Sequence, residues 1–381
     1  MPNIIINAKI VLADEILEDK MLIYDEKIID IVDDIILSDK DDVTIIDAKG
    51  HYVSAGFIDM HIHGSGGVDV MDGTRASLET LSTTLLSTGT TSFLATTMSM
   101  ETTVIQQALD TIGMHAKNVT GAHILGVHLE GPFLNPTRHG AQDKAHLQEP
   151  TLDWLKPYMD EIKMITLAPE IVGAKAFIKA LHRDYPHIIL SAGHTEIGYE
   201  EALQSFKWGI SHVTHLFNAM PAYHHRNPGL IGAVLHADVS CDMIADLVHS
   251  HASTLQMVHT LKKEKFMLIT DAMRAGCMQC GRYELGGASV EVANGRATLH
   301  DGTLAGSVLK MNEAVHNMRT QTNISLCEAL LAVTRSPARK LNLPKGELKV
   351  GYDADIVIFD DTLQIIKTIV MGKERYTCSD F

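Results

Sequence analysis

Across its middle the chain repeats one rhythm, a short apolar run followed by an amphipathic segment, and the runs at 55–61, 91–96, 124–129, 164–168, 188–192, 210–215, 242–247 and 266–270 make about eight. A run too short for a helix and apolar on both faces suits a buried parallel strand, and an amphipathic segment after it suits the crossover helix that parallel pairing requires. Eight such units predict an α/β fold of the (β/α)8 TIM-like barrel type. Helices are expected at 75–87, 101–116, 175–183, 199–206 and 253–263. The two ends of the chain read differently. Short strands punctuated by acidic turns are expected at 3–11, 20–24, 27–32 and 43–47, and β character returns at 354–360 and 365–371. These ends can pair into one small β-sandwich. The expected division is therefore residues 1–53 and 346–381 for the β-sandwich domain and 54–345 for the barrel. Beyond the eighth run, 283–298 has Gly-punctuated strand character and 308–319 and 326–335 look helical.

Several runs reach a polar residue as they end. His61 and His63, Glu130, Glu170, His194, His215, His249 and Asp271 all lie at or just past the C-terminal end of a run. That is the face on which a parallel barrel builds its active site. His61 and His63 are two apart, so on a strand both point to one side and can grip one cation. Taken alone, His-x-His has a plain alternative, two satisfied core histidines. Glu130, His194 and His215 add further donors on the same rim, and imidazole with carboxylate suits zinc or another divalent first-row metal. Asp271, in Leu-Ile-Thr-Asp-Ala, is placed to act as general base and then general acid; its plain alternative is an N-cap.

The segments GFIDMHIHG (56–64), HLEGPF (128–133), APE (168–170), SAGHT (191–195), VTHLFNAMPAYHHRNPG (213–229) and LITDAM (268–273) run in order over nearly the whole chain. Together they resemble the N-acetylglucosamine-6-phosphate deacetylase family of the amidohydrolase superfamily, and HLEGPF and THLFNAM are specific to it. The resemblance implies that Glu130, His194 and His215 are the core metal ligands, that His61 and His63 hold a second ion in members that have one, and that Asp271 is the catalytic acid and base. One or two divalent ions per subunit are expected, zinc first, with iron, cobalt or manganese as alternatives. The wider superfamily places a carboxylated lysine at the end of the fourth strand. This chain has Leu-Ala-Pro-Glu there, with Lys163 at the wrong end of the run, so Glu130 is the natural bridge. For a phosphorylated amino sugar the resemblance implies substrate contacts from Arg226, Asn218, Ala219 and His249 around the phosphate, and from Ala141, Gln142 and Ala305. Part of that pocket is expected from a second subunit, hence a homodimer. Gln142 stands where some members hold a histidine. The implied reaction releases acetate and glucosamine 6-phosphate; the galactosamine epimer, a cyclic amide, or a scaffold that has lost activity are the alternatives.

Charge narrows the partners. With 32 Lys and Arg against 47 Asp and Glu, a net of −15, neither nucleic acid nor an anionic membrane is expected as partner. No signal region or bilayer-length apolar segment is read, so a cytoplasmic location is expected. Five scattered cysteines suit a reducing compartment, with Cys277 and Cys280 read as free thiols.

Overall fold

The computed structural model describes residues 2–33 and 43–379; residues 1, 34–42 and 380–381, all within the expected end domain, lie outside the described residues. Eight parallel strands form the barrel in sequence order: Phe57–Ile62, Thr90–Thr96, His123–Glu130, Ile162–Leu167, Ile189–Ala192, Ile210–Val213, Ser240–Ile244 and Phe266–Ile269. Every residue of the first and second of these is buried. Such strands need two apolar faces, which explains why they read as runs rather than alternations.

Local signals set the helices between them. Arg75–Leu85 starts where the Thr74 side chain accepts the Ser77 N–H, and buries Leu78, Leu81 and Leu85 on one stripe. The 3₁₀ turn after it ends at Gly89, where the φ of 79° disfavours a side chain and an added Cβ would come within 2.6 Å of the Phe57 ring. One helix was not foreseen. Gly229–His236 has the sequence GLIGAVLH and is buried at six consecutive positions, so it shows no amphipathic stripe to read.

The seam between the first and eighth strands closes differently from the rest. Asp59 bridges it, accepting from the Thr270 hydroxyl at 2.5 Å and the Thr270 N–H at 3.3 Å, while the Asp271 N–H donates to the His61 carbonyl at 2.9 Å. Burial pushes Asp59 up to about 7, against the Thr270 and His61 bonds that pull it down. At the far end of the seam, the helix expected over 326–335 stops at Leu331, and after a break a second one, Arg335–Lys340, follows beyond the expected range. The break frees the Ala332 and Val333 carbonyls, which accept the N–H groups of Leu268 (3.1 Å) and Ile58 (2.7 Å) on the two seam strands.

The chain ends pair as expected. Asn3–Val11 lies antiparallel to Ile16–Tyr24 and parallel to both Thr44–Asp47 and Tyr52–Ala55. Ile356–Phe359 then continues the same sheet, followed by Ile365–Val370 and Lys373–Thr377. The result is one eight-stranded sheet, branched at its first strand, around a separate core that includes Ile5, Ile10, Leu22, Val53, Ile356 and Ile358. The Gly-punctuated stretch forms a three-stranded antiparallel sheet, Gly281–Leu285, Ala288–Ala293 and Arg296–Thr298. Among the described residues no helix is long and apolar enough to cross a membrane.

Candidate metal centre and active site

The C-terminal rim of the barrel gathers six of the residues read from the sequence. His61 and His63 leave the first strand on the same side, with Nε2 atoms 3.2 Å apart. Glu130, at the end of the third strand, lies between two pairs of imidazoles. Its Oε1 is 3.2 Å from His194 Nε2 and 3.1 Å from His215 Nε2, while its Oε2 is 3.3 Å from His63 Nε2. His194 and His215 approach each other at 3.1 Å, and Asp271 Oδ1 lies 3.4 and 3.3 Å from the Nε2 atoms of His61 and His63. All six are buried or nearly so.

Backbone conformation aims these groups. His194, His215 and Asp271 all have positive φ, 49°, 35° and 48°, each one turning the chain sharply as its strand ends. Non-glycine residues held there cost free energy and cluster at functional sites. Gly64, directly after His63, lets the Arg274 backbone pass where a Cβ would come within 2.9 Å of its nitrogen. Asp242 on the seventh strand is fully buried and accepts from the His215 N–H and from His212 Nε2.

The donor set fits a divalent cation. Donors 2.0–2.1 Å from a tetrahedral zinc lie about 3.3 Å from one another, and the imidazole and carboxylate atoms here are spaced at 3.1–3.6 Å. Two donor groups share Glu130: His61, His63 and Glu130, and Glu130, His194 and His215. Tautomers agree with this. The Arg138 carbonyl faces His194 Nδ1 at 2.9 Å and the Thr96 carbonyl faces His63 Nδ1 at 3.2 Å. Carbonyls only accept, so in the neutral rings Nδ1 carries the hydrogen and Nε2 keeps its lone pair for the cation.

Without a cation the cluster must balance its own charge. Burial opposes ionisation of Glu130, but His61, His194 and His215 outweigh it and hold the carboxyl well below its usual range. Asp271 is likewise held at about 2, its burial overcome by His61 and His63. Burial lowers His215, yet Glu130 foremost and then Asp271 raise it to about 9; His63 is raised by the same two carboxylates. His128, beneath the cluster, is pushed well below its ordinary value by burial and stays neutral, with Nε2 against the Thr166 hydroxyl at 2.7 Å.

A cavity of about 520 Å³ opens above the cluster. Of the expected substrate contacts, Ala141, Gln142, Asn218, Ala219 and His249 line it. Ala305 is fully buried beside the lining residues Leu304 and Gly306. Asn218 offers an Nδ2 with no partner among the described residues, and His249 is braced by Asp246 at 2.7 Å. Arg226 does not join them. It is exposed, donates from Nη1 to His225 Nε2 at 2.7 Å, and is outside the lining of this cavity. Glu170 is also absent from the donor cluster. Its carboxylate takes Asn135 Nδ2 at 2.8 Å, the Glu196 N–H at 2.7 Å and the Thr195 hydroxyl, tying together two rim loops. Sequence reading missed Arg138 and His139, which line the cavity from the loop after Glu130, and the wall formed by Leu285, Leu299, Asp301 and Thr303. Gly286-Gly287 and Asn294-Gly295 marked turns there, but not what the turns would cover.

A family model, the amidohydrolase family, matches residues 52–375. The chain is 39% identical over 338 residues to the N-acetylglucosamine-6-phosphate deacetylase of Lysinibacillus sphaericus, covering 87% of each, and 42% identical to that of Bacillus subtilis (strain 168), covering 83% of each. Its fold superposes on the crystal structure of the deacetylase of that name from Pasteurella multocida with a TM-score of 0.93 at 29% identity, over 99% of this chain and 100% of the other.

Proposed function

The chain belongs to the N-acetylglucosamine-6-phosphate deacetylases of the amidohydrolase family, and we propose that it hydrolyses the acetamide of N-acetyl-D-glucosamine 6-phosphate to D-glucosamine 6-phosphate and acetate. The observation that carries this reading is the convergence of four imidazoles and two carboxylates at the floor of one cavity. Glu130, His194 and His215 would hold one divalent ion, and His61, His63 and Glu130 a second, with zinc the first choice for an N/O donor set. When bound, such an ion polarises an acyl oxygen and makes water acidic enough to attack near neutral pH.

The chain's own groups do the rest. Asp271, ionised and at the edge of the donor cluster, takes a proton from the attacking water as the water oxygen adds to the acetyl carbon. The carbon–nitrogen bond then breaks, its electron pair goes to nitrogen, and Asp271 returns the proton to the departing amine. Asn218, whose Nδ2 has no partner among the described residues, and the backbone at Ala219 are suited to hold oxygens of the substrate. Arg226, exposed and outside its own cavity, suits a contact to the phosphate across a homodimer interface. The reading places the protein in the cytoplasm, in amino-sugar catabolism and cell-wall sugar recycling.

Acetate release from N-acetylglucosamine 6-phosphate, its galactosamine epimer and unphosphorylated N-acetylglucosamine, each with and without chelator, tests the reading. The first sugar should be cleaved fastest, and chelation should abolish turnover. Acetate from neither phosphorylated sugar would overturn it; faster release from the epimer would reassign the substrate.

A further inference from the structure

Gln142 is the one expected sugar contact whose side chain is already fully engaged by the protein. Its Oε1 accepts the Ser99 N–H at 2.6 Å, and its Nε2 donates to Glu130 Oε2 at 2.8 Å and lies 3.7 Å from Met98 Sδ. A backbone N–H can only donate, so the amide cannot be reversed without setting two donors against each other, and Nε2 must face the carboxylate. The residue is 4% exposed. Its backbone is fixed as well: the Gln142 N–H donates to the His139 carbonyl at 2.9 Å, and the Gln142 carbonyl faces His139 Nδ1 at 2.7 Å. The two Glu130 oxygens are not equivalent. Oε1 faces His194 and His215 and lies 3.6 Å from His61 Nε2, whereas Oε2 faces His63 and is the oxygen that Gln142 holds.

We propose that Gln142 is a positioning residue that orients Glu130 so that Oε2 faces His63, and so governs occupancy of the His61–His63 half of the site rather than recognition of the sugar. The inference rests on the function proposed above. Outer-shell partners of metal ligands typically change metal affinity about 10–100-fold when removed. A loss confined to one of two ions is what this geometry adds.

The test is stepwise Co(II) titration of demetallated wild type, Gln142→Met and Gln142→Ala, followed by visible absorption, with kcat and KM for N-acetylglucosamine 6-phosphate measured at saturating metal. The methionine variant keeps the side chain's length, and the alanine variant leaves room for water if Met98 resists it. Wild type should take up two equivalents. In the variants the first equivalent should bind within about threefold of wild type and the second at least about tenfold more weakly, with KM nearly unchanged. Unchanged binding of both equivalents, with KM raised tenfold, would make Gln142 a sugar contact and overturn the proposal alone. Wild type that binds only one equivalent yet releases acetate would overturn this proposal alone, and wild type that releases no acetate from either phosphorylated sugar would overturn the function and this proposal together.

Discussion

The barrel buries carboxylates at both ends, and the two clusters are built on opposite plans. At the base, Asp355 takes the Lys345 ammonium at 2.7 Å on Oδ2 and the Met371 N–H at 2.9 Å on Oδ1, with Ser92 Oγ 3.0 Å from the same ammonium. Lys345 and Asp355 are 4% and 3% exposed, and they tie the barrel to the end sheet. At the rim, Glu130 and Asp271 face four imidazoles across a donor cluster whose cation the covalent chain does not provide, under an open cavity. Buried charge alone therefore does not mark function. The distinguishing feature is a set of buried donors that converge on one point and can be balanced only by protons or an ion from outside.

Substitutions at the two ends should separate catalysis from stability. Asp271→Asn should lower kcat by about 10³ or more while metal content and melting temperature stay near wild type; wild-type turnover would remove Asp271 from the proton transfers. Lys345→Met should do the reverse. It leaves Asp355 buried without its cation, at a cost of about 3–5 kcal/mol in unfolding by denaturant, while kcat of the folded enzyme holds. A loss of turnover without loss of stability would contradict the division of labour.

A smaller effect distinguishes the clusters by pH. His215 is raised to about 9 in the folded metal-free protein, so its contribution to stability is complete below 6.5 and is lost as pH rises through 9. Asp271, held at about 2, contributes above its ordinary 3.8 and loses that contribution as pH falls towards 2. Metal-free protein should therefore be most stable between about pH 4 and 6.5. Its melting temperature should fall from pH 6.5 to 9, whereas metal-loaded protein, whose imidazoles are already neutral, should change much less over that interval. Parallel melting curves for the two forms would break the comparison.

What was legible in the sequence follows from the range of the interactions. The strand runs and the shared face of His61 and His63 depend on spacings of a few residues, and the structure keeps both. The end domain was readable because its strands alternate or run apolar at both termini. The Gly229–His236 helix was not, because a helix buried all round has no stripe. Nor was the part played by Asp59, which precedes the two histidines. Its partner across the seam, Thr270, is met only once the barrel closes. The direction of the Gln142 amide and the exposed place of Arg226 likewise depend on long-range packing of loops, which local patterns do not encode.

The central claim is that the rim needs a divalent ion that the chain itself does not supply. Metal analysis of the purified protein, with acetate release from N-acetylglucosamine 6-phosphate after exhaustive chelation and after adding back zinc, tests it most directly. Up to two equivalents per chain, turnover lost with the ion and regained with zinc, is the predicted result. Full activity in protein shown to hold no metal would contradict it.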